Sequence, residues 1–151
     1  MAIAGLLTVL ARPMFSAALP GTNLKADTRS LVATLRDSRS TSITSGRRSF
    51  VIFCSHSAQY ATAPENTTYL SKGVELEVSG LAPLVPTPDS TCDSTLDDVV
   101  YRLSFFPDGS SSGAQIILRR PGIAYLVAID WLTGRATVMN ANHVQDGHAS
   151  L

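Results

Sequence analysis

Ser45-Gly46-Arg47-Arg48-Ser49-Phe50-Val51-Ile52-Phe53-Cys54 is where the chain changes its hydrophobic period. Upstream, residues 22–45 contain no Pro or Gly. At about 100° per residue, Thr28, Leu31, Leu35 and Ser42 fall within about 40° of Leu24. Val32 and Ile43 widen that stripe on one side, while Arg29, Arg36 and Asp37 lie off it. This predicts an amphipathic helix that buries Leu24, Leu31 and Leu35. Thr22 or Asn23 is expected to cap its start, because either side chain can accept a bond from a free backbone N–H. Gly46 supplies the stop, since glycine tolerates the left-handed conformation that ends a helix. Downstream the period is two. Phe50, Ile52 and Cys54 alternate with Val51 and Phe53, so both faces are apolar, and the strand is expected to be central in its sheet.

Further strands follow. Val74-Glu75-Leu76-Glu77-Val78 is apolar on one face and acidic on the other. Residues 79–98, rich in Pro, Ser, Thr and Asp, read as a long connection. Residues 99–106 form a strand with Tyr101, Leu103 and Phe105 on one face. Pro107-Asp108-Gly109 is a turn, residues 110–113 extend it, and residues 114–119 read as the return strand of a hairpin. Pro121-Gly122 turns into residues 123–130, with Ile123, Tyr125, Val127 and Ile129 on one face. Leu132-Thr133-Gly134 turns into residues 136–139. At least six strands joined by hairpins are antiparallel. One long helix packed on an antiparallel β-sheet or sandwich is the α+β class. Residues 140–151 are a polar tail, expected to fray.

Residues 1–11 carry no charge, and Ile3, Leu6, Leu7, Val9 and Leu10 point to all sides of a helix. Such a helix wants a membrane or a fully buried site. Arg12-Pro13 interrupts it well short of the roughly 20 residues a membrane span needs. The stretch reads as the end of a longer hydrophobic helix. Residues 2–45 together read as one long helix kinked near Pro13 and Pro20. The chain thus divides into a hydrophobic helix (1–19), an amphipathic helix (20–46) and a β domain (47–151).

The 151 residues are 44% hydrophobic and 16% charged, with no net charge. That excludes a disordered chain and disfavours a generic nucleic-acid binder, which carries a basic excess. The balance hides a segregation. Residues 1–50 hold Arg12, Lys25, Arg29, Arg36, Arg39, Arg47 and Arg48 against Asp27 and Asp37. Residues 51–100 hold Lys72 against Glu65, Glu75, Glu77, Asp89, Asp93, Asp97 and Asp98. Such a dipole is either two solvated faces of one domain or a device for docking complementary subunits.

No catalytic constellation survives inspection. Gly109-Ser110-Ser111-Ser112-Gly113 matches the Gly-x-Ser-x-Gly nucleophile elbow, and Asp130 and His143 follow in the chain order of an α/β-hydrolase. That elbow joins a strand to a helix, whereas Ala-Gln-Ile-Ile-Leu after Gly113 is a strand, so a small hydrolase is a remote alternative. Cys54 and His56, two apart, would face the same way on a strand and suggest a thiol and its base, but no third group orients them. Cys54 reads instead as a buried cysteine or half of a disulfide. A Cys54–Cys92 bridge would close a loop of about 38 residues, worth about 3–4 kcal/mol in the chain-entropy account, and needs an oxidising compartment. His143 and His148 with Asp146 make a poor metal site. Asp89, Asp93, Asp97 and Asp98 match no calcium-loop spacing and read as a solvated loop. No metal and no cofactor is expected.

Four stretches in order resemble one family. Ala2-Ile3-Ala4-Gly5-Leu6-Leu7-Thr8-Val9-Leu10-Ala11 with Pro13-Met14-Phe15 resembles the second half of a prepilin hydrophobic segment, with its kinking proline Pro13. Leu31-Val32-Ala33-Thr34-Leu35-Arg36-Asp37-Ser38-Arg39-Ser40, then Ser45-Gly46-Arg47, resembles the family's helix-to-strand junction. Phe105-Phe106-Pro107-Asp108-Gly109-Ser110-Ser111-Ser112-Gly113 is similar to its Ser-rich hairpin, and Asp130-Trp131-Leu132-Thr133-Gly134-Arg135 to its last β-turn. The chain is accordingly identified as resembling the minor pseudopilin H (GspH) family of the type II secretion system, in the type IV pilin-like superfamily. Members of the family begin, after peptidase cleavage, with a methylated Phe, then Thr-Leu and soon a glutamate; here Met1-Ala2 stands partway into that helix.

The resemblance implies a pilin-like fold and a non-enzymatic role in protein export across the outer membrane, at the tip of a periplasmic pseudopilus. It implies a single-pass inner-membrane protein with its β domain in the periplasm, an oxidising setting for Cys54 and Cys92. The implied partners are other minor and major pseudopilins, the inner membrane through residues 1–19, and the outer-membrane secretin or secreted proteins. The alternative within the superfamily is a minor pilin of a type IV pilus, for adhesion or DNA uptake. Acidic or neutral loops, and no Lys or Arg in residues 140–151, argue against a nucleic-acid partner.

Overall fold

The structure, a computed structural model, describes residues 20–62, 66–85 and 98–143. Ile3, Leu6, Leu7, Val9, Leu10 and Pro13 of the hydrophobic segment lie outside the described residues, as do Cys92, Asp89, Asp93, Asp97, Asp146 and His148.

Helix α1 runs Pro20–Ser45. Thr22 and Asn23 therefore lie inside it, and neither is the cap expected from the sequence. A proline in a first turn is compatible with helix, because the N–H it lacks would have no partner there. At the other end Gly46 takes φ +65° and stops the helix. Leu24, Leu31 and Leu35 are buried together with Val32. Thr28 and Ser42 on the same stripe are buried too, and their hydroxyls are satisfied within the helix, Thr28 Oγ1 donating to the Leu24 carbonyl at 2.8 Å and Ser42 Oγ to Arg39 at 2.7 Å. Ile43 does not join the stripe. It is 44% exposed, because it sits about 100° round the helix from Leu24, beside the loop at Gly109.

The strands are β1 Ser49–Cys54, β2 Gln59–Ala61, β3 Thr67–Tyr69, β4 Glu75–Ser79, β5 Pro83–Leu84, β6 Val100–Phe105, β7 Ala114–Arg120, β8 Ile123–Ile129 and β9 Ala136–Asn140. A 3-10 turn, Ala141–His143, follows. They form two sheets, a five-stranded one ordered β3-β2-β1-β6-β5 and a four-stranded one ordered β4-β7-β8-β9. Every pairing is antiparallel. The doubly apolar β1 is indeed central, pairing with β2 and β6.

The connection after β6 departs from the sequence reading. Residues 114–119 do not return beside β6; they form β7, paired with β4 and β8 in the other sheet. A hairpin does begin. Phe105 bridges to Ser111, and Ser112 N–H donates to Ser104 O at 3.0 Å. At Ser111 the chain already belongs to the second sheet's turn, since its N–H donates to Trp131 O at 2.8 Å and its Oγ to Asp130 O at 2.9 Å. Gly113, at φ +71°, then swings the chain across. Period-two patterning cannot distinguish this corner from a hairpin, because alternation is the same in both.

One core fills the space between the helix and both sheets. It holds Leu24, Leu31 and Leu35 from α1, Phe53, Leu103 and Phe105 from the first sheet, and Leu76, Ile116, Leu118 and Val127 from the second. Each such side chain contributes about 1.5–3 kcal/mol of apolar burial. β4 behaves as its pattern requires, with Leu76 and Val78 buried and Glu75 and Glu77 exposed.

Candidate functional site

Ser111 is buried. Its Oγ donates to the Asp130 carbonyl and accepts from Gly113 N–H at 3.0 Å, so the hydroxyl braces the corner between the sheets. The Asp130 carboxylate faces its own turn, accepting from Thr133 N–H at 2.7 Å and Thr133 Oγ1 at 2.9 Å. The side chain of His143 lies outside the described residues. Gly109 to Gly113 leads into strand β7 rather than a helix, so Ser111 does not sit on a nucleophile elbow.

Cys54 and His56 do not face the same way. Cys54 ends β1 and is 1% exposed, while His56 lies in the following turn with its side chain 68% exposed. The strand ends too soon for the spacing of two to apply. Asp98 explains that turn. It is not part of a solvated loop but is buried, accepting from the backbone N–H groups of His56 at 2.8 Å and Ser57 at 3.1 Å, and from the Ser57 hydroxyl. A carboxylate in place of a backbone acceptor satisfies donors the tight turn would otherwise strand. Among the described residues no group of three His, Cys, Asp or Glu side chains is placed to hold a metal ion.

The structure brings together something else, a knot at the far end of α1. Arg39 reaches off the helix, and its Nε–H donates to Gly109 O at 3.0 Å and Thr133 O at 2.9 Å. It thereby ties the β6–β7 corner and the β8–β9 turn to one helical residue. Ser42 Oγ adds a bond to Phe106 O at 3.1 Å. The approach is so close that a Cβ on Gly134 would run into the Gly109 carbonyl, and Gly134 takes φ +66°. Both tied turns carry an aspartate held below its ordinary carboxyl range, Asp108 by the side-chain and backbone bonds from Ser110, Asp130 by the backbone and side-chain bonds from Thr133. Trp131 and Leu132, at 65% and 63% exposed, crown this end.

Sequence reasoning took Arg39 as a charge and as one residue of the helix-to-strand junction and missed its role, which depends on two segments far away in the chain. The aspartates were readable, because Asp at the head of a turn bonds the backbone a few residues on. The charge segregation in the sequence becomes spatial. Lys25, Arg29 and Arg36 are exposed along α1, and Glu75 and Glu77 are exposed on β4.

Comparison with known proteins agrees with this architecture. No curated protein matches the chain. Among solved structures, the minor pseudopilin EpsH of the type 2 secretion system of Vibrio cholerae superposes with a TM-score of 0.58 and 15% identity, over 80% of this chain and 99% of that one. The type IV minor pilin FimU of Pseudomonas aeruginosa gives 0.54 and 13%, over 79% and 90%. At such identities the likeness establishes the fold, a pilin-like helix on antiparallel sheets. The model of one sequence family, type II transport protein GspH, matches residues 27–134. That stretch holds most of α1, strands β1 to β8 and the Arg39 knot, and it spans well over half of the chain: the protein belongs to the GspH family of type II transport proteins.

Proposed function

We propose that the protein is a structural minor pseudopilin of a type II secretion system, placed at or near the tip of the pseudopilus, and that it works by assembly rather than by catalysis. The observation that carries this is the family match over residues 27–134, joined to a fold in which the polar side chains that resembled catalytic groups are engaged in holding turns. Ser111 braces the corner and Asp130 its turn. On this reading residues 1–19 pack among neighbouring helices or lipid at the inner membrane, and the β domain faces the periplasm. No helix among the described residues is long and apolar enough to cross a membrane. The other minor and major pseudopilins are the partners, with the secretin or secreted proteins as further contacts.

The test is genetic. Deleting the gene in its source cell should trap exported enzymes in the periplasm, and the intact chain should restore export. The likeness to the minor pilin FimU motivates the second reading. Unchanged export with loss of surface pili or DNA uptake would favour it and overturn the first.

We also propose that Cys54 pairs with Cys92. The chain has two cysteines, Cys54 is buried at the end of β1, and among the described residues no cysteine is free. Alkylation in denaturant without reductant should leave both thiols unmodified, and two labelled thiols would remove the bridge.

A further inference from the structure

Among the described residues the four sheet edges are not alike. A free edge offers a row of unpaired N–H and C=O groups, and proteins blunt it by shortness, proline or charge. In the five-stranded sheet the edges are β3, three residues long, and β5, two residues including Pro83. In the other sheet β4 carries exposed Glu75 and Glu77. β9 is five residues, Ala-Thr-Val-Met-Asn, with no charge and no proline. Its one partner among the described residues is β8. Val138 and Met139 are exposed on it.

Val138 marks an opening. It stands opposite Val127 in register and shares its face, yet Val127 is 0% exposed and Val138 45%. Between α1 and β9 lies a groove of about 370 Å³, floored by Val32, Ala33, Tyr125 and Val138. Lys25, Arg29 and Arg36 rim it, and among the described residues no acidic side chain lines it. Among the described residues none of the three cations is in an ion pair.

We infer that this groove takes an extended, acidic polypeptide segment of a partner protein, which adds to the β9 edge as a further strand and sets its carboxylates against Lys25, Arg29 and Arg36. The dimensions agree. Lys25 and Arg29 are about 6 Å apart along the helix axis, close to the roughly 6.8 Å between side chains on one face of a strand. Lys25 to Arg36 spans about 16 Å, the length of about five strand residues. Backbone pairing supplies affinity and the alternate side chains supply specificity, as in other strand-addition complexes. Nucleic acid or lipid headgroups could meet the cations but would leave the β9 edge unpaired.

The test uses the full chain in non-ionic detergent and a dye-labelled peptide of alternating glutamate and valine, read by fluorescence anisotropy. Binding should saturate and weaken with salt, as exposed charge pairs do. The Lys25→Glu/Arg29→Glu/Arg36→Glu variant should weaken it by about tenfold or more, while its circular dichroism melt stays close to wild type, since all three side chains are exposed. Two peptide analogues, N-methylated on odd or on even amides, separate strand addition from simple charge attraction. One analogue should lose binding and the other keep it. Equal binding of both analogues, equal binding of a lysine-valine peptide, no saturable binding, or displacement by duplex DNA or anionic vesicles more effectively than by unlabelled peptide would each overturn the inference. None of these outcomes bears on export in the deletion strain, so the assignment to secretion stands or falls separately.

Discussion

Strands β1 and β9 are both apolar segments beside the same helix, and they end in opposite circumstances. β1 is central, and its Val51, Ile52, Phe53 and Cys54 are all buried. β9 is an edge among the described residues, and its Thr137, Val138, Met139 and Asn140 are all exposed. Composition does not separate them, since Val138 and Met139 are as apolar as their counterparts in β1. Position does. The stripe Leu24, Leu31, Leu35 settles α1 over the seam between the sheets, where it packs on β1 and β7. That placement seals β1 and leaves the far side of β9 open. The helix therefore serves as both lid and groove wall, its buried stripe stabilising the domain and its exposed cations facing the gap.

The sharpest way to break the comparison is to set the loss of a buried helix residue against the loss of exposed ones beside β9. Leu31→Ala should cost about 2–5 kcal/mol, as deletion of a fully buried leucine does. Val138→Ala and Arg36→Ala should each cost under about 0.5 kcal/mol, as exposed substitutions do. Denaturant titration measures all three, and equal effects would mean that the helix does not seal one strand and spare the other.

Next is the knot that holds the helix in place. Gly134→Ala should cost about 2–4 kcal/mol, through a positive φ and a clash with the Gly109 carbonyl. Gly122→Ala offers the comparison, since that glycine also has positive φ, +81°, but open space around it. Gly122→Ala should thus cost clearly less, and the gap between the two measures the close approach alone.

Arg39→Ala should cost about 1–2 kcal/mol, because two carbonyls lose a charged donor in a half-buried setting. Arg39→Lys should recover part of that at most, since a point charge does not reproduce the guanidinium's directed N–H. If α1 and β9 are positioned by this tie, Arg39→Ala should also raise exchange of the β9 amides more than of the β1 amides, which hydrogen exchange followed by mass spectrometry reads.

The smallest effect concerns acid. Asp108 and Asp130 have lowered pKa values when folded. A depressed carboxylate adds stability that is present above its ordinary value, about 3.9, and is lost as pH falls through the folded value. The stability difference between wild type and Asp108→Asn/Asp130→Asn should therefore be steady at neutral pH and shrink below about pH 4. Both groups are surface-exposed, so the change is small. A difference that grows on acidification would reverse the sign.

Much of this protein was legible in its residues. A 3.6-residue period places Leu24, Leu31 and Leu35 on one face whatever they pack against. Alternation at Val74 to Val78, and at Ile123 to Ile129, decides which side of a strand is apolar. Gly46 marks the helix end, because positive φ disfavours nearly every other residue. The junctions around these elements carried the family resemblance. Other features depend on partners far away in the chain. Whether residues 114–119 return to β6 or cross to a second sheet is decided by Ser111 bonding to the Asp130 and Trp131 carbonyls. Asp98 is buried rather than solvated because the β1–β2 turn presents it with two N–H groups. Arg39 is a tie rather than a surface charge because Gly109 and Thr133 arrive beside it. Val138 is exposed, although it shares a face with Val127, because one helix is too narrow to cover every strand of two sheets. Local sequence sets the period and the propensity of each element, while burial is a property of what comes to lie against it, and that is settled only when the whole chain has packed.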